Sequence, residues 1–323
     1  MFGLWIGPGE RDTVEGEMAR PIMVAVGGDS GTGKSTLCKG LEAIFGADRI
    51  GEICLDDYHA LDRAQRRAVG LTALDPRANN FAAMEDDLWR LSEGESVIKP
   101  VYDHSDGTFA EPEEIAPPSI LVVQGLFPLY TRALRSLFDV TVWLDPGADL
   151  KVAWKIQRDT AQRGYGEDEV RAEIARRQPD IDAHITPQRR YADLCVRFSR
   201  PSPSTDNAHL DAQIVKGGRF APLDYSQFAS RSTHLRQIQG GEGPYPRTII
   251  ELDGDVDDET AAAVQDEIWK HIGEHDHWRR PERLGLFSDA RGTRVSHTLA
   301  LAQLLIARRI CLVAAERAAL AVA

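Results

Sequence analysis

Cysteine is scarce in this 323-residue chain: Cys38, Cys54, Cys195 and Cys311 stand far apart, with no Cys-x-x-Cys pair. That spacing gives neither a zinc-binding pattern nor the disulfide framework of a small secreted domain, and reduced thiols are expected. Positive charge is also short. Lys and Arg total 38 against 50 Asp and Glu, a formal net charge of −12 with no basic block. An acidic chain repels phosphate backbones, so nucleic acid is not an expected partner. No stretch reaches the ~18 uninterrupted apolar residues of a membrane span, and no membrane partner is expected. The Ala/Leu-rich end after Leu299 is broken by Arg308, Arg309, Glu316 and Arg317 and reads as an amphipathic terminal helix. The first residues lack the basic start and apolar core of a secretory signal, which points to the cytoplasm. No repeat of fixed period occurs.

What the chain does contain is globular material, 42% hydrophobic and 27% charged, enough for a sizeable core. The run from Ile22 to Val26 reads as a fully buried strand, followed by a Gly-rich loop and a segment with Leu37, Leu41, Ile44 and Phe45 at helical spacing. Further buried strands are expected at Ile120 to Val123 and Val140 to Leu144, each followed by Gly, Pro or Asp and then a helix-compatible segment. Two helices broken at Gly164 to Gly166 are expected between Leu150 and Arg177, and a strand around Cys195, Val196 and Phe198. Strands alternating with helices imply an α/β fold with a mostly parallel sheet flanked by helices. The expected organisation is a tail over 1–20, a core with lid helices over 21–200, and a region of short strands and helices over 201–323 that completes the same domain. RPSPSTDN, from Arg200, is the most linker-like stretch. Short strands are expected between His209 and Ile238 and at TIIELD, then helices from near Asp257 and Ser296.

Gly28-Asp29-Ser30-Gly31-Thr32-Gly33-Lys34-Ser35, with Thr36 following, fits GxxxxGK[ST] between a buried strand and an amphipathic helix. That context turns a permissive pattern into a phosphate-binding loop. Its glycines let successive N–H groups curl around phosphate oxygens at a helix N-terminus. Lys34 then reaches the β and γ phosphates of ATP, and Ser35 can ligate Mg2+. Asp56 and Asp57 follow at the expected end of the second strand, where alternation sends them to opposite faces and only one can meet the phosphates. A carboxylate there can accept the proton of an attacking hydroxyl. On the segment alone, an Asp pair capping the next helix is the competing reading.

GDSGTGKST, ICLDDYHALDR, TALDPRANNF, KPVYDH, VVQGLFPLY, WKIQRDTAQRG and PQRRYAD, in that order, resemble phosphoribulokinases of the plant and cyanobacterial type, within the phosphoribulokinase/uridine kinase family. The resemblance runs from about Ile22 to about Arg200 and resumes more weakly in TIIELDG and LALAQLLIARRI. It implies a P-loop kinase that uses ATP and Mg2+ to phosphorylate O1 of ribulose 5-phosphate, giving ribulose 1,5-bisphosphate for carbon fixation. It makes Asp56 the general base and, with Ser35, a metal contact. His59 and Arg63 would hold the sugar phosphate, with Tyr102 and His104 near the sugar. Lys155, Asp159 and Arg163 are each four apart with Arg158 beside them, so they share one helical face, which by itself reads as a solvated ion-pair ladder. The resemblance instead places them on a lid over the phosphates, with Lys155 and Asp159 catalytic and Arg158 and Arg163 touching substrate. It also implies a homodimer. Arg77, Asn79 and Asn80 read as residues that knit a turn.

The sequence departs from that family where it has Glu-Gly-Leu-His; here the segment is Gln124-Gly125-Leu126-Phe127. Glutamine keeps shape and an acceptor oxygen but carries no charge. If the family's glutamate acts through outer contacts to Mg2+, its loss costs about 10–100-fold. A retuned enzyme is one reading, favoured by the retained Lys34, Ser35, Asp56, His59, Arg63, Lys155, Arg158 and Arg163. A kinase for another sugar phosphate or a nucleoside, and a noncatalytic nucleotide-binding regulator, are the alternatives. The resemblance also implies a regulatory disulfide between the loop and the next strand. The loop position is Thr32 and only Cys54 remains, so neither thiol switching nor a redox-dependent regulatory complex is expected. Asp253 to Glu259 hints at a calcium loop but lacks Gly at the sixth position and has Val264 at the twelfth; it reads as an acidic start to a helix.

Overall fold

The computed structural model of the chain describes residues 20–201, 206–216, 234–240, 247–272 and 280–322. The N-terminal tail, apart from residue 20, lies outside them, as do residues 202–205 of the linker-like stretch and 217–233 of the expected strand region. Strand β1 (Ile22–Gly27) is buried along its whole length. Alternation sends Ile22, Val24 and Val26 into one core and Met23 and Ala25 into another, which is why its sequence is continuously apolar. It pairs in parallel with β5 (Ile120–Gly125) and β6 (Val140–Leu144). Beyond these lie β2 (Ile50–Cys54) on one side and β7 (Leu194–Ser199) on the other, both parallel. The chain then continues the same sheet in antiparallel fashion with β8 (Asp211–Lys216), β9 (Leu235–Gly240) and β10 (Arg247–Leu252), giving the order β2-β5-β1-β6-β7-β8-β10-β9. A hairpin of β3 (Val97–Asp103) and β4 (Thr108–Ile115) stands apart from it.

Helices cover both faces. The core on the side of Val24 and Val26 is completed by α1 (Lys34–Phe45) and α8 (His297–Val322), with α7 (Asp258–Ile272) packed on α8. After the short helix α2 (Arg63–Ala68), the opposite face is covered by α3 (Phe81–Ser92) and α4 (Arg132–Leu137), through Met84, Leu88, Leu91 and Leu134. The break expected at Gly164 to Gly166 separates α5 (Ala148–Arg163) from α6 (Glu167–Asp180), with Gly164 in the left-handed region at φ 71°. Asp257 accepts the Thr260 N–H at 2.8 Å ahead of α7, the capping role that its position suggested.

Two expectations need correction. The terminal helix is not amphipathic over its first half: every residue from Thr298 to Ala307 is buried. It lies against α1, α7 and strands β1, β6 and β8, so all its sides need apolar residues. By length and composition His297–Leu320 could span a membrane, yet 72% of its apolar window is buried inside the protein. Asp56 and Asp57 do not end a strand either. β2 stops at Cys54, and both lie in a tight helical turn, Leu55–Tyr58, because the Asp57 carboxylate turns back to accept the Tyr102 N–H (2.9 Å) and pair with Lys99 (2.7 Å).

α8 crosses α1 closely at Gly40, where an added Cβ would lie 2.0 Å from the Gln303 carboxamide carbon. Gln303 itself donates to the Thr36 carbonyl (3.2 Å) and accepts the Gly285 N–H (2.9 Å). It thereby ties the hairpin of β11 (Leu286–Asp289) and β12 (Gly292–Val295) to the helix of the phosphate loop. Gly40→Ala should displace Gln303 and lower stability by about 1–3 kcal/mol in denaturant unfolding; an unchanged midpoint would show that α8 can recede freely.

Candidate active site

The loop after β1 needs glycine where it reverses: Gly31 and Gly33 have φ of 81° and 91°. Gly31 also lets α5 approach, since a Cβ there would lie 3.2 Å from the Lys155 Cβ. Lys34 folds back over the loop, donating to the carbonyls of Gly28 (3.0 Å) and Asp29 (2.8 Å). Burial lowers its pKa, with Asp56 and Asp29 pulling the other way. Thr32 donates to the Asp29 carbonyl at 2.9 Å. Residues from Ser30 to Thr36 line a cavity of about 1420 Å³ that runs from the β11–β12 hairpin to His59 and Arg63. Gly28 and Asp29 shape the loop instead, the Asp29 carboxylate pairing with Lys151 at 3.1 Å.

Asp56, unlike Asp57, faces this cavity, and its Oδ2 lies 3.7 Å from His104 Nε2. His59 is buried, and its Nδ1 sits 2.9 Å from Asn79 Oδ1. Asn79 Nδ2 already donates to the carbonyls of Ala73 (3.1 Å) and Asp75 (2.9 Å). The Oδ1 must therefore accept, which makes Nδ1 the protonated nitrogen and leaves Nε2 as an acceptor. Asn79 thus does more than knit a turn: it sets the tautomer of His59. Burial lowers the His59 pKa, opposed by Asp56. The Tyr102 ring stands edge-on to His59 (4.8 Å between centroids) and His104 (5.1 Å). Arg66 donates to the Tyr102 hydroxyl at 2.7 Å and Arg63 to the His104 carbonyl at 2.6 Å.

On α5, Lys155 Nζ and Asp159 Oδ2 are 2.8 Å apart and both nearly buried, so this is no solvated ladder. Arg158 bonds Asp159 Oδ1 at 2.8 Å and Ser30 Oγ at 3.0 Å. Burial raises the Asp159 pKa, but Lys155 and Arg158 outweigh it and the net shift is downward. Lys155 is lowered by burial against the pull of Asp159. Arg163 closes α5, and its side chain lies outside the described residues.

Gln124 lies on β5 at the head of α1. Its Nε2 is 3.5 Å from Ser35 Oγ and donates at 2.7 Å to Glu52 Oε1, on the neighbouring strand β2. Burial raises the Glu52 pKa, and the Gln124 hydrogen bond opposes that rise. A carboxylate therefore does stand beside this position, but it comes from β2. Sequence reasoning missed Glu52, along with Arg66, Lys151, Arg176 and Arg177 at or near the cavity. Isolated charges carry no local signal; for Lys151 alone, the i, i+4 step to Lys155 was available. The hard oxygens of Ser35 and Asp56 suit Mg2+.

A phosphate loop at the end of a parallel strand, an acidic turn beside it and a basic helix against it define a P-loop kinase fold. The model of the Phosphoribulokinase / Uridine kinase family matches residues 23–202, and the chain belongs to that family. It is 45% identical over 181 residues to a phosphoribulokinase of Synechocystis sp., covering 56% of this chain and 54% of that one. It is 40% identical over 221 residues to the chloroplastic phosphoribulokinase of Chlamydomonas reinhardtii, covering 62% and 59%. A uridine kinase of Brevibacillus brevis is 30% identical over 223 residues, 67% of this chain and all of that one. The chain spans about half the length of the Synechocystis and plant phosphoribulokinases it matches. Among solved structures, phosphoribulokinase from Rhodobacter spheroides shares the fold, with a TM-score of 0.56 at 18% identity over 78% of this chain and 96% of that one.

His59 has a testable consequence for stability. Below its ordinary pKa of 6.5 the unfolded chain takes up a proton that the buried ring resists. Stability therefore falls as pH drops from 6.5 toward the folded pKa, and the penalty is absent above 6.5. His59→Gln should lose less Tm than the wild type between about pH 7 and about pH 5; equal losses would mean the ring protonates freely when folded.

Proposed function

We propose that the protein transfers the γ-phosphoryl group of ATP to O1 of ribulose 5-phosphate. The observation that carries this reading is Asp56, turned into the cavity shared by the phosphate loop and the His59, Arg63, Tyr102 and His104 cluster. The loop N–H groups and Lys34 hold the nucleotide phosphates. Arg63 and Arg66 offer fixed positive donors on the sugar side. His59 Nε2 has no proton to give a phosphate until the ring takes one up, and a bound dianion favours that uptake. Asp56 accepts the proton of O1 as the hydroxyl attacks in line. Ser35 and Asp56 would hold Mg2+ together with the phosphates, and the ion would supply charge neutralisation there. Lys155 and Arg158, poised by Asp159, face the developing charge.

Gln124 fits a working site on this reading because Glu52 anchors its carboxamide beside Ser35. The reading leaves the kinase free of thiol switching, since Thr32 occupies the loop, and makes it a cytoplasmic homodimer with no redox partner. With MgATP and ribulose 5-phosphate, product mass should identify the bisphosphate, at one rate with or without a dithiol reductant. Asp56→Asn should lower kcat by at least about 10²-fold with ATP affinity nearly unchanged; surviving turnover would remove Asp56 as the base, and turnover on uridine or ribose 5-phosphate alone would reassign the acceptor. Gln124→Glu should not simply improve the enzyme. It sets two carboxylates together and should cost about 1–3 kcal/mol, which Glu52→Gln in the same chain should recover. Additive effects in that double-mutant cycle would show that the two side chains do not interact.

A further inference from the structure

A second donor set lies in the cavity, and its chemistry does not suit Mg2+. Cys54 Sγ, an Asp56 carboxylate oxygen and a His104 ring nitrogen all fall within 4.8 Å of one another. The Asp56 and His104 atoms are already 3.7 Å apart. Bond lengths of ~2.0–2.3 Å put adjacent ligands of a tetrahedral zinc ion roughly 3.3–3.6 Å apart. Closing the set therefore needs side-chain adjustments of about an ångström, well within rotamer reach. Cys54 and Asp56 are fixed by the end of β2 and the turn after it. His104 comes from the β3–β4 turn, where Arg63 grips its carbonyl and its ring rests against Tyr102. All three are partly exposed and line the cavity, so an ion can reach them from solvent.

We propose that Cys54, Asp56 and His104 form a binding site for a borderline-soft divalent cation of the zinc class, and that its occupation switches the kinase off by capturing Asp56. The coordination stands on the geometry alone; the inhibition rests on the role given to Asp56 above. Thiolate and imidazole prefer zinc-class ions to Mg2+, so the nucleotide's own cation does not compete for Cys54 or His104. Binding forms a sulfur–metal bond as the S–H bond breaks, the proton leaves to solvent, and nothing is oxidised or reduced. An Asp56 carboxylate held by this ion can no longer serve the nucleotide's Mg2+ with one oxygen and the sugar hydroxyl with the other. The fourth position of the ion stays open for water. The switch needs one cysteine, where a disulfide would need two.

Cobalt(II) reads the coordination without any turnover. Added to the nucleotide-free protein, it should give one equivalent of a near-ultraviolet thiolate-to-cobalt band that Zn2+ displaces and Mg2+ does not. Cys54→Ser should lose that band and weaken zinc binding by at least roughly tenfold, with Cys54→Ala as a second variant should serine fold poorly. At buffered free Zn2+ and excess MgATP, wild-type turnover should fall and recover with a zinc-selective chelator, while Cys54→Ser keeps its rate. No thiolate band in the wild type, or one that persists in Cys54→Ser, overturns the site. A proper band with turnover indifferent to zinc overturns the switch. If ribulose 5-phosphate is not a substrate under any condition, the proposed function falls and the switch with it, and the cobalt spectrum still decides the site.

Discussion

A pocket that must hold several phosphate charges has to keep its cations together before any phosphate arrives. Lys34, Lys151, Lys155 and Arg158 converge on one loop, and mutual repulsion would scatter them if each were left uncompensated. Each has a local partner instead: loop carbonyls for Lys34, Asp29 for Lys151, Asp159 for Lys155, and Asp159 with Ser30 for Arg158. The nearly buried Lys155 and Asp159 pair is better understood as a device for positioning than as a source of stability, because desolvation offsets much of the attraction between such charges. Much of the remaining architecture serves this arrangement. Gly31 admits α5, and Gly40 admits α8, whose Gln303 secures the start of α1.

The two sides of the cavity are built differently. The phosphate side is main chain held at the end of a parallel strand, so its geometry follows from loop conformation and a helix N-terminus. The side proposed for the acceptor is a relay of side chains. Asn79 sets the His59 tautomer, Tyr102 separates His59 from His104, and Arg66 and Arg63 pin Tyr102 and His104 in turn. Asp57 serves this side as well, since its contacts to Lys99 and the Tyr102 N–H fix β3 against the turn that carries Asp56. Of two adjacent carboxylates, one is structural and the other is left facing the cavity.

Gln124 shows how a local change depends on its neighbours. Read along the chain, it removes a charge from the site. In the folded protein its carboxamide joins Ser35 to Glu52 across two strands. Glu52 gave no warning of this, because it sits on a short strand seventy-two residues earlier in the chain. Cys54, Asp56 and His104 were likewise invisible as a candidate cation set: two lie two residues apart in sequence, while the third comes from a separate hairpin.

What the sequence determined by itself was whatever has a short physical period or a fixed local geometry. The buried strands, the helix after the phosphate loop, the break at Gly164 and the loop itself follow from alternation, helical spacing and glycine chemistry within a few residues. The amphipathic reading of the last helix failed because burial on all sides depends on the helices and strands packed around it, which no window of the helix contains. The tertiary structure alone decided which of Asp56 and Asp57 faces the cavity, how His59 is protonated, and which carboxylate accompanies Gln124. Each of those depends on a contact between elements far apart in the chain, where the interaction energy depends on distance in space and leaves no periodic trace in the order of residues.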